Sequence, residues 1–465
     1  MKTNEKELFK FKEINGFLIF HTEEYSYLFS PGERYIYRIK DENRLNSYIS
    51  QNKKGEPPSF DIPSISLLES LYKTKMRELV LNITETCNLR CKYCVYGECY
   101  PTIKGYSNKH MKSEIAIKAI EYFLERARNE FISICFYGGE PTIRLSDIIS
   151  LIDFVRNKNS KENIYFFIDT NATLLNEREI QELVKRDVFL QISLDGPPSI
   201  HDFNRVTQRG EGTFKKIYNT ISYLYKNYPS YFKEKVYFQI TLTPLIDVRK
   251  VYRFFNTKFF KDNTIHITFL HMEEENDYIE RYGEEHKKII FKESIKELRE
   301  KFIEMLVKGY KPDQFLWELF GRRLADIHFL LKSKKISNKI PLNGTCIPGI
   351  RRLYVDVEGK FYPCEKLLER LCIGDIDEGI NIKKVFNILK EYESISSNCK
   401  FCFARELCEI CFVSVVNSKG KLDKEKKEEI CKEKKREIAM AFIDYAKIME
   451  RNQNALNFLK DYIRV

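Results

Sequence analysis

The sequence predicts an α/β fold whose centre is a partial (β/α)6 barrel of the TIM type. Six short apolar segments alternate with helix-like stretches, which is typical of parallel strands joined by crossover helices. A stretch with hairpin signals precedes them, and a cysteine-rich stretch with little apolar content follows. The strand candidates are 78–84, 131–137, 164–169, 188–194, 236–242 and 264–270.

Length and composition favour a folded protein of several domains. The chain has 465 residues, of which 43% are hydrophobic, and this length suggests about three domains. No apolar run approaches the ~18 residues of a membrane span. The N-terminal sequence MKTNEKELFKFKE has neither the apolar stretch nor the cleavage site of a signal peptide. We therefore expect a cytoplasmic protein without a membrane partner.

The net charge of +11 is spread along the chain, with one dense run of alternating sign at 421–437. Such a run is typical of a solvated helix face. A basic surface can attract an acidic electron donor or an acidic peptide. No recognised nucleic-acid-binding motif accompanies the charge, so no nucleic-acid partner is expected.

Residues 1–75 are predicted to form a small winged-helix-like module. The pair Asn15-Gly16 is a hairpin signal, and Pro31-Gly32 indicates a turn between strand-like segments. Three strands with packed helices suit a peptide-binding module that extends its sheet with a bound strand. A purely structural cap is the alternative.

The pattern divides the chain into five parts. They are the N-terminal module (1–75), the barrel (76–280), a helical connector (281–335), a cysteine-rich domain (336–435) and a C-terminal helix (436–465).

Three cysteines follow the first barrel strand with the spacing Cys87-x3-Cys91-x2-Cys94. Parallel βα folds place their chemistry at the carboxyl ends of the strands. Reduced thiols at this spacing indicate a metal site rather than disulfides. Three thiolates on a four-iron cluster leave one iron open to a ligand. A zinc site that lacks its fourth ligand is the alternative.

Further motifs follow the next three strands. Gly138-Gly139-Glu140-Pro141 follows the second strand, Thr170-Asn171 follows the third, and 193–197 (SLDGP) follows the fourth. Together with the cysteine motif and the aromatic Tyr93 inside it, this order resembles the radical S-adenosylmethionine (radical SAM) superfamily. The resemblance covers roughly residues 78–215.

The resemblance implies a cofactor and a chemistry. A 4Fe–4S cluster on the three cysteines would bind S-adenosylmethionine, whose reductive cleavage gives a 5′-deoxyadenosyl radical that abstracts a hydrogen atom from a substrate. The Gly-Gly-Glu-Pro motif would hold the methionine amino group, and the later polar residues would contact the ribose and its surroundings. The implied cofactor-binding residues are Tyr93, Gly138, Gly139, Glu140, Asn171 and Ser193. Helix capping is the alternative role for Asn171 and Ser193, and core packing is the expected role of His201 and Cys135.

The second cysteine group resembles the SPASM extension of that superfamily, which carries two auxiliary 4Fe–4S clusters. By resemblance, the first cluster would use Cys346, Cys364 and Cys411, and the second would use Cys399, Cys402, Cys408 and Cys431. The spacing before Cys411 is x2 where x3 is commoner, which leaves the pairing open. A zinc ribbon is the alternative.

The first auxiliary cluster needs a fourth ligand that the motif does not supply. Cys372 would bring the SPASM-like cysteines to eight, enough for two complete clusters. The other hypothesis is an open iron that binds a substrate thiolate.

Taken together, these features predict a peptide-modifying radical SAM enzyme. The chain resembles maturases of ribosomally made, Cys-containing peptides, of the sactipeptide and ranthipeptide type, which form thioether links. Such an enzyme would bind a leader peptide at the N-terminal module and receive electrons from a ferredoxin or flavodoxin. The alternatives are oxidation of Ser or Cys as in anaerobic sulfatase maturases, carbon–carbon crosslinking, epimerisation, and a non-enzymatic iron–sulfur electron carrier. Glu365, directly after the Gly359-x4-Cys364 pattern, is the candidate base, with a surface salt bridge as its alternative role.

Overall fold

The computed structural model describes residues 10–51, 58–100, 105–158, 163–270, 276–333, 339–340, 342, 346–367 and 370–464. Its strands are β1 (Phe11–Ile14), β2 (Phe17–His21), β3 (Ser26–Ser30), β4 (Tyr35–Ile39), β5 (Ser59–Phe60), β6 (Glu78–Thr84), β7 (Ile132–Gly138), β8 (Ile164–Thr170), β9 (Phe189–Ser193), β10 (Val236–Leu242), β11 (Thr264–Phe269), β12 (Lys339–Ile340), β13 (Leu353–Val355), β14 (Lys360–Tyr362), β15 (Gly374–Asp375) and β16 (Gly379–Ile380).

The helices that surround these strands are α1 (Glu42–Gln51), α2 (Ile65–Thr74), α3 (Ser113–Leu124), α4 (Leu145–Lys158), α5 (Glu177–Lys185), α6 (Pro198–Asn204), α7 (Phe214–Asn227), α8 (Pro229–Lys235), α9 (Val248–Phe255), α10 (Tyr278–Tyr282), α11 (Glu285–Val307), α12 (Gln314–Leu316), α13 (Arg322–Lys332), α14 (Ile382–Ile395), α15 (Phe412–Val415) and α16 (Lys424–Arg451). Among the described helices, none is both long and apolar enough to cross a membrane.

The six predicted barrel strands form one parallel sheet in the order β11-β10-β9-β8-β7-β6. The α/β prediction with a partial barrel is therefore confirmed. Alternation along each strand explains how the sheet is covered. In β6, Leu79, Leu81 and Ile83 join the large core beneath the helices, whereas Val80 belongs to a separate apolar cluster with Cys135 of β7. Side chains that alternate with these core residues, such as Val80 and Cys135, line the inner face of the sheet.

The cysteine-rich region continues the barrel sheet. Strand β13 pairs in parallel with β6, and β14, β15 and β16 follow as antiparallel neighbours. In the described part of the chain this sheet has ten strands, and it joins the predicted barrel (76–280) directly to the predicted cysteine-rich domain (336–435). As a result, the loops after β13 and β14 lie next to the first barrel strand.

The N-terminal module is a four-stranded antiparallel meander, β1-β2-β3-β4, with α1 after it. The sequence suggests three strands; the fourth forms because Tyr35–Ile39 pairs in register with β3 after the turn at 31–34. The sheet packs on α16, where Phe29 and Phe442 have ring centroids 4.5 Å apart. Tyr27 also donates to Glu450 at 2.7 Å. The module is thus anchored to the helix that carries Cys431.

Candidate active site

The first cysteine motif lies in the loop that leaves β6, at the carboxyl end of the barrel sheet. The three thiols lie close enough to interact electrostatically. Burial raises the pKa of each thiol, and that of Cys91 to about 12. Buried thiolates need a compensating positive charge, which a metal cluster supplies. The donor set therefore fits an iron–sulfur cluster.

A buried carboxylate fixes this loop against the next strands. Tyr93 donates its hydroxyl to Asp195 at 2.5 Å, and Arg205 donates to the same oxygen at 3.0 Å. The other oxygen of Asp195 accepts the amide of Thr241 at 3.1 Å. Asp195 is fully buried, so the pairing with Arg205 compensates its charge. Tyr93 is thus held within the motif by its hydroxyl, and its ring lies beside Cys91.

The two glycines at the end of β7 are required because other backbone atoms approach them closely. A Cβ at Gly138 would lie 2.2 Å from the Thr84 carbonyl oxygen, and one at Gly139 would lie 2.4 Å from that of Thr86. Gly138 also has φ +141°, a conformation that favours glycine. The amide of Gly139 donates to Thr84 at 2.7 Å. This loop therefore packs directly on the segment that enters Cys87.

Glu140 turns inward and connects two motifs. Its carboxylate accepts hydrogen bonds from Thr142 at 2.5 Å, from the Thr170 hydroxyl at 2.7 Å and from the Asn171 amide at 2.7 Å. The side chain is buried and engaged with these protein donors. The carboxylate thereby sets the position of the adjacent glycines.

Asn171 and Ser193 occupy the ends of β8 and β9. The Asn171 side chain donates to Asn88 at 3.0 Å and accepts the hydroxyl of Thr173 at 2.6 Å. Because Asn88 lies between Cys87 and Cys91, the third motif is tied to the cysteine loop. Ser193 is half-buried and pairs in register with Gln239.

A fully buried amide beside the glycine loop points to a ligand. Among the described residues, neither side-chain polar atom of Asn82 has a hydrogen-bond partner. Its oxygen is 2.7 Å from the place that a Cβ on Gly138 would take. An unpaired buried amide costs about 1–3 kcal/mol, so this position suits a polar group brought by a cofactor. Sequence reasoning missed Asn82 because asparagine inside an apolar strand carries no motif.

A second polar network connects the first barrel strand to the loops of the cysteine-rich region. Arg352 pairs with Glu78 at 2.5 Å and with Glu365 at 2.6 Å. The other oxygen of Glu365 is buried and has no hydrogen-bond partner in the described part of the chain. Burial, and then the charge of Glu365, raise the pKa of nearby Asp169 to about 7. The candidate base Glu365 is thus a half-buried carboxylate that pairs with Arg352, rather than one partner of an exposed surface salt bridge.

The cysteines of the second group lie in two neighbourhoods. Cys364 has Cys346 and Cys411 as electrostatic neighbours, and burial raises the pKa of Cys411 to about 11. A distinct cavity is lined by Cys399, Cys402, Cys408 and Cys431. Within the described residues, no three His, Cys, Asp or Glu side chains form a site for a single metal ion.

The remaining cysteines lie in apolar surroundings. Cys372 packs with Cys135 on the inner face of the sheet, and its thiol donates to the Gly374 carbonyl at 3.3 Å. Cys99 is buried beside Tyr278, and its pKa is raised by burial and by Asp277.

Comparison with known proteins identifies the domain. Residues 81–256 match the family profile described as the radical SAM superfamily. The chain therefore contains a radical SAM domain. This fold implies a 4Fe–4S cluster and S-adenosylmethionine as its cofactors.

Two curated relatives of this chain are informative. It is 28% identical over 343 residues to the cysteine-type anaerobic sulfatase-maturating enzyme of Clostridium perfringens, a match that covers 71% of this chain and 86% of that protein. It is 28% identical over 195 residues to the radical SAM cyclopropyl synthase TigE of Paramaledivibacter caminithermalis, covering 40% of this chain and 38% of that one.

Solved structures share the fold. The chain matches a histidine-tagged form of anSMEcpe with bound AdoMet at a TM-score of 0.59 and 23% identity, covering 83% of this chain and 96% of that one. Native anSMEcpe with bound AdoMet and a Kp18Cys peptide matches at a TM-score of 0.57 and 23% identity, covering 83% of this chain and 99% of that one.

His201 provides a prediction on stability against pH. The ring is fully buried, accepts the Asp195 amide at 3.3 Å and contacts the Thr213 hydroxyl at 3.1 Å. Burial lowers the pKa of His201 from 6.5 to about 4. A depressed pKa means that the unfolded state binds the proton first, so stability falls as the pH falls from 6.5 towards 4. The loss is at most about 3 kcal/mol, since one pKa unit is worth about 1.4 kcal/mol.

We expect His201→Gln to lower the stability at pH 7 and to flatten its pH dependence, measured by urea unfolding between pH 7 and 5. The exposed His286 provides the control, and His286→Gln should keep the wild-type slope. An unchanged slope in His201→Gln would contradict the assignment.

Proposed function

We propose that this radical SAM enzyme is a peptide maturase that forms a thioether crosslink in a ribosomally made, Cys-containing peptide. The observation that carries the proposal is the N-terminal sheet: within the described residues β4 is its edge strand, and it presents the exposed Tyr35 and Tyr37. An extended peptide can add to such an edge through backbone hydrogen bonds, while side-chain contacts give specificity. We assign residues 1–75 to leader recognition on this basis.

The proposed cofactor sites follow the geometry of the chain. Cys87, Cys91 and Cys94 would hold the radical cluster. The backbone of Gly138 and Gly139 would lie close to S-adenosylmethionine. Tyr93, Asn171 and Ser193 would border the cofactor, and Glu140 would position the loop. Cys346, Cys364 and Cys411 would hold one auxiliary cluster. Cys399, Cys402, Cys408 and Cys431 would hold the other. When bound, the radical cluster and S-adenosylmethionine supply the 5′-deoxyadenosyl radical that removes a hydrogen atom from the substrate.

In this proposal Glu365 accepts the proton that the substrate thiol releases. Its unpaired oxygen is available for that proton, while Arg352 fixes the other oxygen at 2.6 Å. Each thioether formed removes one hydrogen atom, one proton and one further electron from the peptide. A ferredoxin or flavodoxin would supply the reducing electron that begins the reaction.

The fourth position of the first auxiliary cluster is proposed for substrate sulfur. Cys372 is the other hypothesis, but its thiol already donates to Gly374 and packs in an apolar cluster. An open iron at this position would bind the substrate thiolate near Glu365, because Glu365 directly follows Cys364.

A second candidate function is oxidation of a Cys or Ser side chain in a protein. The similarity to the sulfatase-maturating enzyme of C. perfringens favours it, and the placement of Glu365 suits either reaction. The N-terminal module distinguishes the two candidates, since only a leader-dependent maturase would need it. Carbon–carbon crosslinking and epimerisation are further outcomes that the product would reveal.

The test is co-expression with a small Cys-rich peptide encoded beside this gene, followed by mass spectrometry. A thioether product loses two hydrogens per link, loses its free thiol and does not react with hydroxylamine. A product that reacts with hydroxylamine contains a carbonyl and would favour the second candidate. An unchanged peptide mass with its thiols intact would contradict the proposal.

Glu365→Gln provides a prediction on the proton acceptor. We expect peptide product to fall by about 10²–10⁴-fold, because a general base contributes roughly that factor. Formation of 5′-deoxyadenosine should persist, since Glu365 belongs to a different part of the site. Glu358→Gln, which changes an exposed carboxylate in the β13–β14 turn, should leave both products unchanged. Equal loss of both products in Glu365→Gln would contradict the assigned role.

A further inference from the structure

One lysine is buried against the second cysteine set. Lys427 lies near the start of α16 and is only 5% exposed. Its Nζ donates to Cys399 Sγ at 3.2 Å and lies 5.6 Å from the centre of the Tyr392 ring. It lines the same cavity as Cys402, Cys408 and Cys431.

The other two lysines of the cavity are neutralised by carboxylates. Lys435 pairs with Glu13 of the N-terminal sheet at 2.7 Å, and Lys434 pairs with Glu437. Among the described residues, no carboxylate pairs with Lys427. The one polar contact described for its ammonium is a cysteine sulfur.

A buried ammonium without a counter-charge is costly. The cavity therefore suits an anionic occupant, which four thiolates and a bound cluster would provide. Charge and hydrogen bonds at the cysteine sulfurs are among the factors that set the reduction potential of such a cluster. Because reduction adds one negative charge, an adjacent cation stabilises the reduced state more than the oxidised state.

We propose that Lys427 is a positioning residue that raises the reduction potential of the second auxiliary cluster and makes it the electron acceptor of the reaction. The inference rests on the proposed function, which assigns the four cysteines as ligands. Its electron balance is simple: one electron leaves the substrate when the new bond forms, the oxidised cluster takes it up, and a ferredoxin- or flavodoxin-type carrier later removes it.

The N-terminal sheet shields the same site. A Cβ at Gly16, in the β1–β2 turn, would lie 2.1 Å from the Phe401 carbonyl oxygen, so this turn packs on the loop between Cys399 and Cys402. Together with the Glu13–Lys435 pair, this packing covers one side of the cavity, where Lys427 is only 5% exposed. Low solvent access strengthens the effect of the Lys427 charge.

The test is a potentiometric titration followed by electron paramagnetic resonance. The full-length parent carries Cys87→Ala, Cys91→Ala and Cys94→Ala, so only auxiliary clusters contribute. We expect Lys427→Met to move one of the two components to a more negative potential and to leave the other in place. Lys427→Arg, which keeps the charge, and Lys434→Met, at the same cavity, should both titrate like the parent.

The outcomes separate this inference from the proposed function. Unmoved potentials in Lys427→Met with full iron content would overturn the role of Lys427 alone. A parent that lacks the second component would overturn the ligand assignment and this inference with it. If Lys427→Met loses iron, Lys427→Gln and Lys427→Arg decide: retention of the cluster only in Lys427→Arg supports the charge requirement, and loss in all three variants overturns it.

Discussion

Replacing Cys91 with alanine is expected to remove the radical cluster and to abolish formation of 5′-deoxyadenosine. Cys91 lies close enough to Cys94 to interact with it electrostatically. The motif contains no thiols besides those of Cys87, Cys91 and Cys94. Two remaining thiolates cannot retain a four-iron cluster against loss to solvent. The iron content should therefore fall by about four atoms per chain, with the auxiliary signals unchanged.

Cys99→Ala is the matched control for this variant. Cys99 lies five residues after Cys94 but is buried beside Tyr278 in an apolar cluster. We expect Cys99→Ala to keep its iron and its activity. If Cys91→Ala kept its iron and still cleaved S-adenosylmethionine, the three-cysteine assignment would be wrong.

Gly139→Ala is expected to cause the second large effect, through sterics alone. The added Cβ would lie 2.4 Å from the Thr86 carbonyl oxygen and 3.1 Å from the Cys87 amide nitrogen. Overpacking of this kind costs about 1–3 kcal/mol. The clash would also displace the segment that enters Cys87, and a displacement of ~1 Å can reduce a rate about 10²-fold. Measurements of 5′-deoxyadenosine formation and of the melting temperature would report the two effects.

Gly32→Ala serves as its control, because a Cβ at Gly32 would meet no atom within 4 Å. We expect this variant to match the wild type in activity and melting temperature. A Gly139→Ala variant as active and as stable as Gly32→Ala would show that the loop yields to the methyl group.

The barrel strands could be predicted because local pattern determines them. Strands buried on both faces appear in the sequence as short apolar runs, and β6 and β10 have the expected bounds. The continuation of the sheet into β13 could not be predicted. Leu353–Val355 is a strand of only three residues, and so short a segment carries little periodicity. It depends on pairing with β6, and the paired residues Leu353 and Leu79 are 274 positions apart in the chain.

The candidate site shows the same division. Cys87 and Gly139 could be predicted because each belongs to a motif of closely spaced residues in the sequence. Asp195 was recognised only as part of a motif, whereas its bonds to Tyr93 and Arg205 depend on the fold. The contact of Lys427 with Cys399 also joins separate elements, and no local pattern marks it within a run of charged residues.

The most direct test of radical chemistry at Cys87, Cys91 and Cys94 is the reaction of the anaerobically reconstituted, reduced full-length protein with S-adenosylmethionine. We predict stoichiometric or greater formation of 5′-deoxyadenosine and methionine, and no formation of either product in the variant with Cys87, Cys91 and Cys94 all replaced by alanine. A fully iron-loaded and reduced wild-type protein that makes no 5′-deoxyadenosine would contradict the assignment of these three cysteines to a radical cluster.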